Sequence, residues 1–269
     1  MPGQQRDATA FMTPGCESHS EASRPKPLLG PKETLKIGCW NVRTMFEPSK
    51  AAQIAREMEQ HNICILGISE ARWTGSGRIT LNRGQTVLYS GRGDNQHQDG
   101  VALMLNKEAS KALLEWNPVS SRILTARFDS RFVKLSIIQC YAPTNEAEEE
   151  TKDTFYEQLQ SVVDKVPKHD LLLVMGDVNA KVGCNNQGRE SFMGRFGKGE
   201  MNENGELFAD FCGLNNLVIG GTILPHKNIQ KNTWVSPDRR TNQIDHVTIN
   251  KRWRSSLLRH QSVQGSRYG

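Results

Sequence analysis

At 269 residues and 30.2 kDa the chain has room for one large body or two small ones, and its length alone does not choose between them. Hydrophobic residues make up 36% and charged residues 23%, a globular balance on the polar side that fits one structured body with a polar tail. Net charge is +5, no apolar stretch approaches the length of a membrane span, and Met1–Arg6 lacks an apolar leader region, so neither a bilayer nor secretion is indicated.

Residues 1–33 are rich in Pro, Ser, Gly, Gln and charge without a hydrophobic period, which predicts a disordered tail. The body, 34–269, starts with a short strand over Leu35–Trp40 that delivers Asn41. Ala51, Ile54, Ala55 and Met58 then recur at helical spacing, with Pro48-Ser49 as a plausible start. The β-branched run Ile63–Ile68 reads as a buried central strand ending at Ser69-Glu70. Further strands are expected at 86–89, 101–105, 124–128 and 132–141. Phe155, Leu159, Val162, Val163 and Val166 paint one face of a second helix. Leu171–Met175 is another buried strand, and a third helix is predicted around Glu203–Cys212. Strands near 217–219, 233–235 and 244–249 complete the series. Many strands with a few well-separated helices predict two packed sheets with helices outside, and no internal repeat is present.

The six cysteines show no CxxC pair; Cys39, Cys64 and Cys140 fall inside apolar runs, where a free thiol behaves as a small hydrophobe. A reducing compartment, nuclear or cytoplasmic, follows. From Lys227 to Gly269 nine Lys and Arg stand against two Asp, a surplus larger than that of the whole chain. Such an end is either a contact for a phosphate backbone or a solvated basic tail.

Four short phrases lie in order along the chain, each with a polar residue where an apolar strand ends: Cys39-Trp40-Asn41-Val42, Ile68-Ser69-Glu70-Ala71, Gln139–Pro143 and Met175–Asn179. Strand ends are where a rigid sheet positions groups that substrate can reach. Over roughly residues 34–255 these phrases resemble the endonuclease/exonuclease/phosphatase superfamily, particularly the endonuclease domains of LINE-type retrotransposons of the RTE class. Trp40–Thr44, Ser69–Trp73 and Asn242–His246 carry that likeness.

The resemblance implies a four-layer α/β/β/α sandwich of two packed mixed sheets and a metal-dependent phosphodiesterase that nicks DNA. Its cofactor would be Mg²⁺, with Mn²⁺ as a substitute, and hard cations of this kind take oxygen ligands. It assigns the metal to Glu70, with Asn41 holding that carboxylate or touching the metal. It gives Asp177 the task of orienting or deprotonating the attacking water, Asn179 a hydrogen bond to the phosphate and Tyr141 a place against the scissile phosphate. Thr233 looks like the position used near the DNA backbone.

Two departures stand out. Abasic-site enzymes carry Asn-x-Asp after the first strand where this chain has Asn41-Val42-Arg43, which makes them a poorer match. Family members also end in Ser-Asp-His, whose His serves as general base or phosphate contact, whereas the one Asp-His here is Asp245-His246. Because neighbours on a strand face opposite sides and the run continues through Val247, Thr248 and Ile249, the pair is placed on the penultimate strand, with Asp245 as the functional member. On that reading the chain stops short of the last strand, and poor solubility and low activity are expected. Alternatives to the DNA endonuclease are a catalytically impaired nucleic-acid-binding remnant in a host gene and a hydrolase of phosphoinositides or other small phosphoesters.

Overall fold

The computed structural model describes residues 28, 34–225, 234–235 and 241–257. The expected tail at 1–33 apart from Leu28, Thr233, and the basic residues beyond Leu257 lie outside the described residues.

The first sheet contains β1 (Ile37–Asn41), β2 (Ile65–Ser69), β3 (Ser76–Thr80), β4 (Thr86–Ser90) and β5 (Val101–Leu105) in the order β1-β2-β5-β4-β3. β1 and β2 run parallel, joined by α1 (Pro48–Gln60), and the remaining pairs are antiparallel. The second sheet takes β6 (Leu113–Ser120), β7 (Ile123–Phe128), β8 (Leu135–Tyr141), β9 (Leu171–Asp177), β10 (Leu217–Ile219) and β13 (Asp245–Asn250) in the order β10-β13-β9-β8-β7-β6. Here β8 and β9 form the parallel pair, joined by α3 (Glu149–Lys165). α2 (Lys107–Ala112) links the sheets, α4 (Glu203–Leu214) precedes β10, and β11 (Trp234–Val235) pairs with β12 (Thr241–Asn242).

Alternation along the strands separates three cores. On β2, Ile65 points between the sheets while Leu66 and Ile68 meet Ile54, Ala55 and Met58 of α1. On β9, Leu173 and Met175 face the inter-sheet layer, and Leu172 and Val174 meet Phe155 and Leu159 of α3 and Phe208 and Phe211 of α4. Ile137, Leu103, Leu105 and Phe128 complete the middle layer. Both sheets are thus mixed, each is covered by helix on its outer side, and the expected sandwich is present.

Several elements differ from expectation. β3, Ser-Gly-Arg-Ile-Thr, is almost wholly exposed and has no apolar alternation, so only pairing with β4 makes it a strand. β6 holds Pro118, tolerated because it is an edge strand, and both β6 and α2 went unpredicted. β8 begins at Leu135 rather than at Phe132, whose ring is exposed. Among the described residues no helix is long and apolar enough to cross a membrane.

Candidate active site

The middle layer changes character along its strands. Reading the inward residues of each in turn, Ile37 and Cys39 lead to Asn41, Ile65 and Gly67 to Ser69, Ile137 and Gln139 to Tyr141, and Leu173 and Met175 to Asp177. Antiparallel β13 runs the same way in reverse, from Ile249 and Val247 to Asp245. Register brings the polar ends together: Asn41 opposes Ser69, Tyr141 opposes Asp177, and Asp245 opposes Asp177 from the other side. The inter-sheet layer is apolar at one end and opens into a polar mouth at the other.

At that mouth the Asn41 side chain joins the two sheets. Its Nδ2 donates to Glu70 Oε1 at 2.7 Å and to Asp177 Oδ2 at 2.8 Å, while Oδ1 accepts from Arg43 N at 2.9 Å. The Arg43 bond fixes the amide so that its nitrogen faces both carboxylates and its oxygen is turned away. Glu70 and Asp177, which come from different sheets, therefore share one donor. Glu70 Oε2 accepts from the Arg72 guanidinium at 2.9 Å.

Asp177 is buried. Burial pushes its carboxyl up to about 6, the negative charge of Glu70 adds to the rise, and the Asn41 amide and the Asn179 N–H oppose it. Asn179 N donates to Asp177 Oδ1 at 3.0 Å, and Asn179 Nδ2 donates to Ala142 O at 2.9 Å. Beneath, Gln139 Nε2 donates to Ser69 Oγ at 3.1 Å, and Ser69 Oγ accepts from Asp177 N at 3.3 Å, so a buried amide and hydroxyl hold the Asp177 backbone.

Glu70 and Asn179 both adopt left-handed backbone, with φ of 54° and 49°. Asn tolerates this conformation, but a Glu there is strained by roughly 1–3 kcal/mol, a cost that clusters at functional sites. Gly176, at φ 143°, precedes Asp177 where an added Cβ would meet the Cys140 carbonyl, so only glycine lets β9 lie this close to β8.

Tyr141 is half-buried, and burial, then the charges of Glu70 and Asp177, raise its phenol well above the usual range; it is a protonated hydrogen-bond donor at neutral pH. The Arg122 guanidinium lies 5.1 Å from the Tyr141 ring centre, donates to Tyr141 O at 3.2 Å and pairs with Asp99 at 2.8 Å. Sequence reading missed Arg122, Asp99 and the pairing role of Arg72. The available signal was that Arg122 directly precedes the apolar run of β7, whose partner strand β8 ends at Tyr141.

His246 does not join the cleft. Its ring lies on the helix-facing side of β13, with Nε2 donating to Ala180 O at 2.8 Å and the Phe208 ring 5.3 Å away. Burial pulls its pKa down to about 4, leaving a neutral core imidazole. Asp245, one residue earlier, faces the inter-sheet layer, where its charge and that of Asp177 help burial raise the Cys39 thiol.

Among the described residues no group of three or more His, Cys, Asp and Glu is gathered for a metal. The mouth instead offers hard carboxylate oxygens in a pair, a donor set that suits Mg²⁺, which keeps most of its waters and takes one or two protein carboxylates plus substrate phosphate.

This architecture, with a polar mouth between two mixed sheets, is the endonuclease/exonuclease/phosphatase fold. Solved structures with it include the endonuclease domain of TRAS1, a telomere-specific non-LTR retrotransposon (17% identity, TM-score 0.54, 80% of this chain and 84% of that one). Others are a variant of the 3′ phosphatase NExo from Neisseria bound to product DNA hairpin (15%, TM-score 0.56, 82% and 89%) and the AP endonuclease LMAP from Leishmania major (12%, TM-score 0.58, 84% and 82%). In sequence the chain is similar to craniofacial development protein 2. It is 41% identical over 239 residues to that protein from Bos taurus, and 41% identical over 239 residues to the one from Tragulus javanicus. These matches take in 88% of this chain, which spans only 40% and 41% of the two relatives. A scan against protein-family models finds no match.

Proposed function

We propose that the chain is a divalent-metal-dependent phosphodiesterase domain of retrotransposon origin that nicks DNA. The observation that carries this reading is the single Asn41 amide holding Glu70 and Asp177, from opposite sheets, at one polar mouth. Glu70, on its side of that mouth, would hold Mg²⁺ or Mn²⁺, which when bound supplies charge neutralisation of the phosphate.

The chain's own groups divide the remaining work. Asp177, with its carboxyl raised to about 6, accepts a proton from the attacking water near neutral pH. The water oxygen forms the new P–O bond as the bond to the 3′ oxygen breaks, and that oxygen takes a proton from solvent and leaves as a 3′ hydroxyl. Tyr141 donates its phenol proton as a hydrogen bond to a phosphate oxygen, held in place by Arg122, and the second N–H of the Asn179 amide does the same from the other side. Asp245, in register with Asp177, adds negative charge that favours a cation at the mouth. DNA is the proposed partner because solved neighbours include DNA enzymes and the described C-terminal segment Lys251–Ser256 is basic and exposed.

Substrate class is tested by offering the chain, with Mg²⁺, a supercoiled plasmid and, separately, a soluble inositol phosphate. Slow conversion of plasmid to nicked circle is expected, since the buried His246 brings no imidazole to the mouth. Phosphate release from the inositol compound with the plasmid left closed would replace DNA by a small phosphoester; binding without any hydrolysis would leave an impaired binding remnant.

A further inference from the structure

Three segments form the rim beside Glu70: residues 42–47, 70–73 and 94–100. They are tied to one another through backbone, with Met45 N donating to Ala71 O at 2.9 Å, Arg72 N to Asp99 O at 3.0 Å and Ala71 N to Gly100 O at 2.9 Å. Met45 is fully buried, and its carbonyl accepts from Trp73 Nε1 at 2.6 Å. Yet the next side chain, Phe46, is 59% exposed. Its exposure is not fraying, because Phe46 N is bound to Thr44 Oγ1 at 3.0 Å and its ring packs edge-on against His97, with centroids 4.5 Å apart and planes 70° apart. His97 is anchored in turn, its Nδ1 donating to the Arg72 carbonyl at 3.0 Å. A large apolar ring is thus held out in water by a fixed frame, next to the strand end that carries Glu70.

Charge does not explain the surface. Arg72 is paired with Glu70, and Arg92 with Asp94 and Asp99, while Arg43 is exposed on the same rim, and none of these charges accounts for an apolar ring held out beside them. What the rim presents is a flat, supported π face, and a face of this kind is recognised by another planar ring.

We propose that Phe46, braced by His97, is a stacking platform for one unpaired nucleobase adjoining the phosphodiester at the Glu70–Asp177 mouth, an inference that rests on the nucleic-acid reading above. Stacking on an exposed aromatic contributes about 1–3 kcal/mol per base whatever the base, which is about 5- to 150-fold in affinity. Because no phosphate is neutralised, this contribution leaves the salt dependence of binding unchanged.

The test uses the whole chain and two oligonucleotides of equal length, one fully paired and one with a single unpaired 2-aminopurine. The native chain should quench 2-aminopurine fluorescence on binding. Phe46→Ala should lose the quenching and weaken binding of the unpaired-base oligonucleotide by about 5- to 150-fold, with the same salt slope and unaltered binding of the paired duplex. Phe46→Trp should restore both signals. Equal affinity of native chain and Phe46→Ala for the unpaired base, or equal losses on both oligonucleotides, overturns the platform while leaving the DNA reading in place. Failure of the native chain to bind either oligonucleotide overturns both.

Discussion

Replacing Asn41 by Ala removes the only donor shared by Glu70 and Asp177 among the described residues, and two effects should follow. Bonds to charged groups contribute about 1.5–3 kcal/mol each, but the side chain is half-buried and water replaces part of the loss, so a net cost of about 2 kcal/mol is expected. For a chain of this size that is a fall of about 4–8 °C in melting temperature. The second effect concerns protons. Burial already raises the Asp177 carboxyl from 3.8 to about 6, with Glu70 adding to the rise, and Asn41 is the largest opposing influence; without it the value climbs further. A carboxyl whose folded pKa is raised gives stability that is complete below the unfolded value and is lost as pH rises through the folded one. The deficit of Asn41→Ala should therefore be greatest above pH 6 and shrink towards pH 3.8. Urea unfolding of both chains across that range measures it. A deficit that stayed constant with pH, or grew in acid, would refute the shared-donor account.

Arg122→Leu should leave the fold intact but free the Tyr141 ring, lowering the nicking rate about tenfold or more with little change in metal requirement, as measured in single-turnover assays. Gly67→Ala would drive a Cβ onto Gln139 Oε1 between the sheets and should cost about 1–3 kcal/mol, read by thermal unfolding. His246 is held neutral in the fold, with its pKa depressed from 6.5 to about 4, so it contributes stability above pH 6.5 that is lost as pH falls towards 4; His246→Gln should flatten that part of the melting profile. A chelator should abolish nicking, and added Mg²⁺ or Mn²⁺ should restore it, followed on a plasmid gel.

Much of the sandwich could be read from apolar period alone. Ile63–Ile68, Val101–Leu105 and Leu171–Met175 are short β-branched or leucine-rich runs, and β2, β5 and β9 lie there, because strands buried on both faces have no polar side to break the run. Of the stripe Ala51, Ile54, Ala55 and Met58, the last three lie against β2 and β5, and Ala51 is buried. Elements whose reason is a partner remained invisible: β3 is a strand only by pairing with β4, and β6 only by pairing with β7. The site divides on the same line. Asn41, Glu70, Tyr141, Asp177 and Asn179 each close an apolar run, and local sequence marks such a position. Asp99 and the exposed Phe46 act across sequence gaps that no local pattern records, and the partners of Arg122 and Gln139 lie across such gaps as well. Strand alternation also separated Asp245 from His246 correctly in orientation, since one faces the middle layer and the other Phe208.

The most direct measurement is divalent-dependent nicking of supercoiled plasmid by the native chain beside Asp177→Ala. The account predicts slow formation of nicked circle with the native chain and Mg²⁺, none without the metal, and none with Asp177→Ala although its DNA affinity stays within a few-fold. Nicking by Asp177→Ala at a near-native rate would contradict it, because the carboxylate that Asn41 holds against Glu70 would then not be the group that prepares the water.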